Sequence, residues 1–311
     1  MSSNPATVVG GAAVGTAASS SRREGWIRRL PLLPALVFVM VMQIPFLYTI
    51  YYSLLGWNLN YPDTATKFTG LDNYKRLLAD PELRIGLLNT LVLTFFAVTI
   101  SVVLGVAIAI LLNKDVFGKG VLRTLMIGPF LVMPTAAALI WKHTLLNPLF
   151  GLVGQLSYPL VGHVVWTDRF PMGTIVAFEV WRWTPFIMLI VLAGLQSQNL
   201  EVLEAARVDG ADAWQTFRQI TLPFIRPFVE LGALLGSLFI LQTFDSLFII
   251  TDGGPGTNTT NIPFLLYRDG FRAFDVSYAA AIGVVSVIVT AILATFALRT
   301  LFSIFRMETT T

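Results

Sequence analysis

The 311-residue sequence contains no cysteine, which excludes disulfides, thiolate metal sites and cysteine nucleophiles. Its two histidines, His143 and His163, are too few for a histidine-rich metal site. Charged residues make up 13% of the chain, against about 25% in soluble domains, while hydrophobic residues reach 55%. The net charge of +3 is small and its carriers are scattered, so no nucleic-acid partner is expected. No G-x-x-x-x-G-K-S/T segment is present to cradle nucleotide phosphates, so any ATP hydrolysis must belong to another chain. No Ser-His-Asp set or carboxylate pair stands at the end of an apolar run, which weighs against an intramembrane enzyme. No repeat at a fixed period is visible, so an inverted-repeat transporter has no support.

What the chain does have is apolar length, with a mean hydropathy of +0.72. Six stretches, 30–55, 86–112, 122–146, 172–196, 227–250 and 277–303, reach the roughly 20 residues a helix needs to cross a bilayer. The expected class is therefore an all-α membrane protein with six transmembrane helices, since a backbone in lipid must satisfy its own hydrogen bonds. Pro129 and Pro134 are expected to bend the third span, and Pro185 the fourth. Gly105 with Ala109, and Gly232 with Gly236, make small-xxx-small steps suited to close helix packing. Residues 1–29, rich in Ser, Ala, Gly and Thr, are expected to form a disordered cytoplasmic tail, and 307–311 a short C-terminal one. The basic residues before the first run also fit a signal peptide, but that run is too long and no small-residue cleavage site follows.

An even number of spans puts both termini on one side. The segments on that side carry twelve Lys and Arg, and the opposite loops seven. The bias places the termini and residues 197–226 in the cytoplasm and the loops 56–85, 147–171 and 251–276 outside. Tyr48, Tyr51, Tyr52 and Trp57 suit an interfacial aromatic belt, and Lys142 and His143 suit snorkelling at the end of the third span.

Residues 204–227, EAARVDGADAWQTFRQITLPFIRP, form the longest polar stretch of the second half. Asn199 can cap a helix running to Asp209, Gly210 breaks it, and Asp212 with Gln215 fits a capping box opening a second helix to Ile220. Pro223 and Pro227 would then mark entry into the fifth span. Small residues at Ala205, Ala206 and Ala211 keep the turn thin enough for another protein to approach.

The spacing of Glu204-Ala205-Ala206, Gly210, Ile220 and Leu222-Pro223 resembles the EAA loop of membrane subunits of binding-protein-dependent ABC importers. FTGLDNY (68–74), LLNTLVLT (87–94), NPLFGLVG (147–154) and FDSLFIITDGGPG (244–256) resemble the six-span carbohydrate branch, and GPFLVMPTAAALIWK (128–142) polyol permeases. The resemblance covers about 30–305 and implies a type I importer permease fold over 30–306. It implies that Glu204, Ala205, Ala206, Asp209, Gly210 and Ala211 couple the spans to an ATPase through helices at 199–221. It further implies a heterodimer with a second permease, a cytosolic ATPase dimer holding ATP and Mg, an extracytoplasmic solute-binding protein, and the bacterial inner membrane. No cofactor is expected on this chain. A stand-alone ion-coupled secondary transporter is the rival, and it leaves the polar loop unexplained.

Ionisable groups inside spans mark candidate sites. Glu179 and Arg182, three apart with Trp183 alongside, either line a translocation cavity or clamp neighbouring helices. Gln242, Thr243, Asp245 and Ser246 cluster in the fifth span, with Gln242 and Ser246 expected on one helical face to meet substrate hydroxyls. Asp245 is alternatively structural, bonding to the loop after it. Glu230 is expected to pack against the coupling region; the turn-rich loop TDGGPGTNTTN is either a plain hairpin between spans or, as the resemblance implies, lies near a docked binding protein.

Overall fold

The computed structural model of the chain describes residues 33–64, 67–114 and 118–308, with the backbone alone for 161 and 296–308. The expected N-terminal tail, 1–29, lies outside these residues, as do residues 309–311. Among the described residues the chain is helical, and strand-like pairing is confined to two isolated bridges, Leu55–Phe68 and Asn58–Tyr61. The chain divides into a unit ending at Tyr51 and a second from Tyr52 onward. The first holds most of α1 (Leu33–Ser53), which is apolar all round and largely exposed, as suits a helix solvated by lipid.

In the second unit a short α2 (Asp72–Ala79) leads into α3 (Pro81–Asn113). Asp80 caps α3 by accepting from the Glu82 N–H at 2.9 Å, and Pro81 takes a first-turn position where no N–H is needed. The third crossing is made by α4 (Lys119–Leu131) and α5 (Pro134–Ile140, prolonged by a π-helical turn Trp141–Leu145), which meet at 98°. Both prolines were expected to bend this span. Pro129 sits inside α4, which continues to Leu131; the break is at Val132–Met133, because the residue before Pro134 is driven out of the helical region.

The loop beyond holds α6 (Leu152–Val161) and a single turn α7 (Trp166–Arg169), and then α8 (Pro171–Gln196) crosses without interruption through Pro185. Next come α9 (Leu200–Val208), α10 (Ala213–Thr216) and α11 (Leu222–Ile240). A short α12 (Asp245–Ile250), α13 (Ile262–Tyr267) and the long α14 (Val276–Glu308) complete the chain. Five helical runs are long and apolar enough to cross a membrane, and the bent α4–α5 pair makes six.

The centre of the second unit is α8, packed by both α3 and α11, which also touch each other. Both contacts use glycine. A Cβ on Gly105 would lie 3.0 Å from Ile187 Cγ2 and 3.1 Å from the Met188 nitrogen, and one on Gly232 would meet Ile187 at 3.5 Å. The small-residue steps therefore bring both backbones onto the same turn of α8, where Ile187 and Met188 are fully buried with Ala109, Val191 and Ile225. A second cluster joins Leu93, Phe178, Trp183, Ile240 and Leu247, so α3, α8, α11 and α12 share one core.

Candidate coupling loop and translocation site

The polar loop folds as its local chemistry dictates. Asn199 Oδ1 accepts from the Glu201 N–H at 2.9 Å and opens α9. The helix ends where Gly210 takes φ +82°: the Gly210 N–H reaches the Arg207 carbonyl at 3.1 Å and the Ala211 N–H the Ala206 carbonyl at 3.0 Å. This is a Schellman ending, which requires a left-handed residue. Asp212 and Gln215 then make a reciprocal capping box, 2.7 and 3.0 Å, at the start of α10. Glu204, Ala205, Asp209 and Gly210 are exposed, Ala211 is half-buried, and Ala206 is buried.

The second helix does not stop at Ile220 as expected. Through a π-helical turn, Phe217–Thr221, α10 continues into α11, and Ala213–Ile240 forms one spanning run. A π turn inserts a residue without ending the hydrogen-bonded column, so the prolines at 223 and 227 enter a helix already under way. Glu230 accepts from Arg226 Nε at 2.7 Å, one turn back and within the polar stretch. Leu200, Val202, Val208 and Trp214 stand exposed on the loop, Val208 at 87%.

The fifth span corrects the sequence reading in a second way. Residues 227–250 do not form one helix: α11 ends at Ile240 and α12 starts at Asp245, with Leu241–Phe244 irregular between them. Helical spacing therefore does not relate Gln242 to Ser246. Gln242 is exposed, its Nε2 turned back onto the Leu238 carbonyl at 3.3 Å, whereas Ser246 is fully buried. Asp245 is exposed in the first turn of α12, and Thr243 is buried.

Ser246 Oγ donates to Glu179 Oε1 at 2.6 Å, tying α12 to α8. The other oxygen of Glu179 faces Arg182 Nη1 at 3.5 Å, and the guanidinium sits 5.6 Å over the Trp183 ring. Glu179 is fully buried and the Arg182 side chain is 17% exposed. Beside them is an aromatic group that the sequence reading missed apart from Trp183. Phe130 stacks on Phe186 at 5.0 Å and Trp183 on Phe239 at 5.4 Å, and Trp183 Nε1 is buried without a hydrogen-bond partner. Rings three residues apart on α8 gave no polar signal, so only the packing reveals them.

An irregular backbone at membrane depth must be satisfied by protein groups. Here Asn261 Nδ2 donates to the Thr243 carbonyl at 2.6 Å while its Oδ1 accepts from the Phe264 N–H at 2.9 Å. The loop 251–261 is not a plain hairpin. Asn89 Nδ2 holds the Thr257 and Thr260 carbonyls, each at 2.9 Å, and Thr90 Oγ1 accepts from the Ile262 N–H at 3.2 Å. Thr259, Thr260 and Asn261 are consequently buried. Lys142 also departs from its expected snorkelling position: its Nζ donates to the Ile249 carbonyl at 2.6 Å, near the end of α12.

Six crossings, a fifth span interrupted beside a buried acid–base pair, and a capped polar loop continuous with that span define a polytopic helical transport subunit. Residues 87–304 match the family described as binding-protein-dependent transport system inner membrane component, and the chain belongs to it. It is a permease subunit of an ABC importer. It is similar to the probable ABC transporter permease protein y4oQ of Sinorhizobium fredii, 35% identical over 260 residues that cover 82% of each chain. It is also similar to the trehalose transport system permease protein SugA of Mycobacterium tuberculosis, 34% identical over 255 residues covering 80% of each. In fold it matches a chain of a bacterial ABC transporter that imports the acidic polysaccharide alginate, with TM-score 0.74 and 21% identity over 92% of this chain and 98% of that one. Family membership sets aside the stand-alone secondary transporter.

Proposed function

We propose that this permease subunit imports a sugar across the bacterial inner membrane, with both termini in the cytoplasm. It would pair with a second, different permease, receive substrate from an extracytoplasmic solute-binding protein, and be driven by a cytosolic ATPase dimer that holds ATP and Mg. The observation that carries the reading is the continuous helix from Ala213 to Ile240, which begins in the capped loop and ends at the break beside Glu179 and Ser246. Glu204, Ala205, Ala206, Asp209, Gly210 and Ala211 shape the driven end. The exposed Leu200, Val202, Val208 and Trp214 give a soluble partner apolar surface to bury. A displacement of this loop is passed along that helical run to residues 241–244. Gln242, Thr243, Asp245 and Trp183, with the Phe130, Phe186 and Phe239 rings, then offer a sugar hydrogen-bonding groups and aromatic faces. Glu179, Arg182 and Ser246 act chiefly as the clamp that holds the broken span. A sugar rather than a polyol is favoured by the trehalose permease among the relatives.

The test is purification of the tagged chain from cells expressing the whole transporter. The ATPase should accompany the wild type and be lost when Val208 and Trp214 are both replaced by Ser, while the second permease stays bound. Retention of the ATPase by that variant would remove the loop from the docking surface.

A further inference from the structure

The loop between the third and fourth crossings is more ordered than a linker requires. Asn147 Oδ1 accepts from the Leu149 N–H at 2.9 Å, and His163 Nδ1 donates to the Pro148 carbonyl at 3.1 Å, so the far end of α6 is tied back to its beginning. A Cβ on Gly154 would lie 2.4 Å from the Asn147 carbonyl oxygen, and one on Gly151 2.6 Å from the same atom. Only glycine lets the helix seat on that turn. The element so fixed buries Gly151 and Gly154 and turns a row of leucines outward: Leu152 is 61% exposed, Leu156 69% and Leu160 87%, with Leu149 and Phe150 leading into the row.

Immediately beyond, and ending one residue before α8 starts its crossing, residues 163–170 line an open pocket of about 710 Å³, with His163, Asp168 and Arg169 exposed on it. Its walls carry His163, Asp168 and Arg169 together with Trp166 and Phe170, whose rings stack at 5.9 Å. Arg169 makes no ion pair among the described residues; its guanidinium lies 5.9 Å over the Phe170 ring. Among the described residues, His163 keeps its second ring nitrogen free of protein partners, and the Asp168 side chain accepts only from the neighbouring Thr167 hydroxyl, at 3.4 Å. A cation, an imidazole and a carboxylate, none of them neutralised by one another, therefore line one pocket.

The place and the chemistry agree. The pocket lies at the α8 end opposite the 199–221 loop, beside the start of an apolar run long enough to cross a membrane, and the leucine row next to it is exposed. Rigid exposed leucines beside Trp, Tyr and Arg are the composition of a segment lying in the lipid interface. We propose that this hairpin, 147–170, is a phospholipid site for a zwitterionic headgroup. Arg169 and His163 take the phosphate, Asp168 takes the ammonium with the Trp166 and Phe170 rings beside it, and the leucine row of α6 lies among the acyl chains. The assignment is independent of which solute is transported.

The assembled transporter, released from membrane into detergent, is titrated with phosphatidylethanolamine, phosphatidylglycerol and diacylglycerol, and bound lipid is counted by native mass spectrometry. Phosphatidylethanolamine should be retained over both others. Arg169→Gln should lower its affinity on the order of ten-fold, the scale of one charge-assisted hydrogen bond, and Asp168→Asn should erase the preference over phosphatidylglycerol. Equal retention of diacylglycerol, or an unchanged affinity in Arg169→Gln, overturns the proposal. Displacement by inorganic phosphate would mark a free-anion site instead, and displacement by trehalose a sugar site. Because the chain has no cysteine, Leu160→Cys gives it one labelling position. A spin label there, in proteoliposomes made with cysteine-free partner subunits, should be open to oxygen and shielded from a water-soluble nickel relaxant. Accessibility to nickel, or immobilisation against another subunit, assigns the leucine row to water or to protein and refutes the lipid reading.

Discussion

Replacing Ser246 by Ala removes one hydroxyl donor from a buried carboxylate. Ser246 Oγ donates to Glu179 Oε1 at 2.6 Å, and both residues are fully buried. The remaining partner of Glu179, Arg182, is 3.5 Å away on the other oxygen. Without the hydroxyl, α12 loses its polar tie to α8. A hydrogen bond to a charged group contributes about 1.5–3 kcal/mol, which sets the expected loss for Ser246→Ala at roughly 2 kcal/mol. Glu179→Gln keeps the shape but leaves Arg182 without its counter-charge, and should cost about 3–5 kcal/mol. If the two act through one contact, the double variant is less destabilised than the sum of the singles by at least ~1 kcal/mol. Unfolding of the purified complex by SDS titration reads these differences, with uptake measured in parallel. The clamp assignment also requires that Ser246→Ala weaken uptake of all accepted solutes alike. Additive losses, or an unaltered stability with a changed solute preference, would refute it and return Glu179 to the pathway wall.

Asn261→Ala leaves the Thr243 carbonyl and the Phe264 N–H without their buried partners. It should cost roughly 2–4 kcal/mol and abolish uptake, read by the same titration and by transport in cells. Gly105→Leu forces a side chain into Ile187 and the Met188 backbone, and its expected cost of about 1–3 kcal/mol should appear as reduced yield of assembled complex. A reporter fused after Arg306 should be cytoplasmic and one inserted near Gly256 extracytoplasmic; reversal at either site breaks the orientation. Burial raises the Asp269 carboxyl above its ordinary 3.8, with Glu82 and Asp80 adding to the shift and Arg268 opposing it. Its contribution therefore favours the fold most below that ordinary value and is lost as pH rises through the folded value. Asp269→Asn should gain on the wild type in melting temperature from pH 4 to pH 7, and a constant difference would contradict the assignment.

The elements legible in the sequence were those set by local chemistry. Asn199, Gly210 and the Asp212–Gln215 pair each fix a helix end within a few residues, so spacing alone located α9 and the start of α10. Hydropathy likewise found every crossing, because lipid selects for length and apolarity. It carries no mark of a break inside an apolar run. The interruption at 241–244 depends on Asn261, distant in sequence, supplying the donor that the Thr243 carbonyl lacks. For the same reason nothing in the sequence marks Asn89 and Thr90 as functional positions, although they hold the loop that ends at Asn261. The 98° bend was half legible: Pro134 announced a boundary, but the angle is set by two extended residues and by packing.

The role of the capped loop is tested most directly at Gly210. A Cβ placed there meets nothing within 4 Å, so a substitution changes the left-handed turn alone, at about 1–2 kcal/mol. Proteoliposomes containing the whole transporter and its binding protein are assayed for ATP hydrolysis with and without sugar. Gly210→Val should insert and assemble yet lose the stimulation by sugar and with it the uptake. Full stimulation and normal uptake in that variant would contradict coupling through residues 199–221.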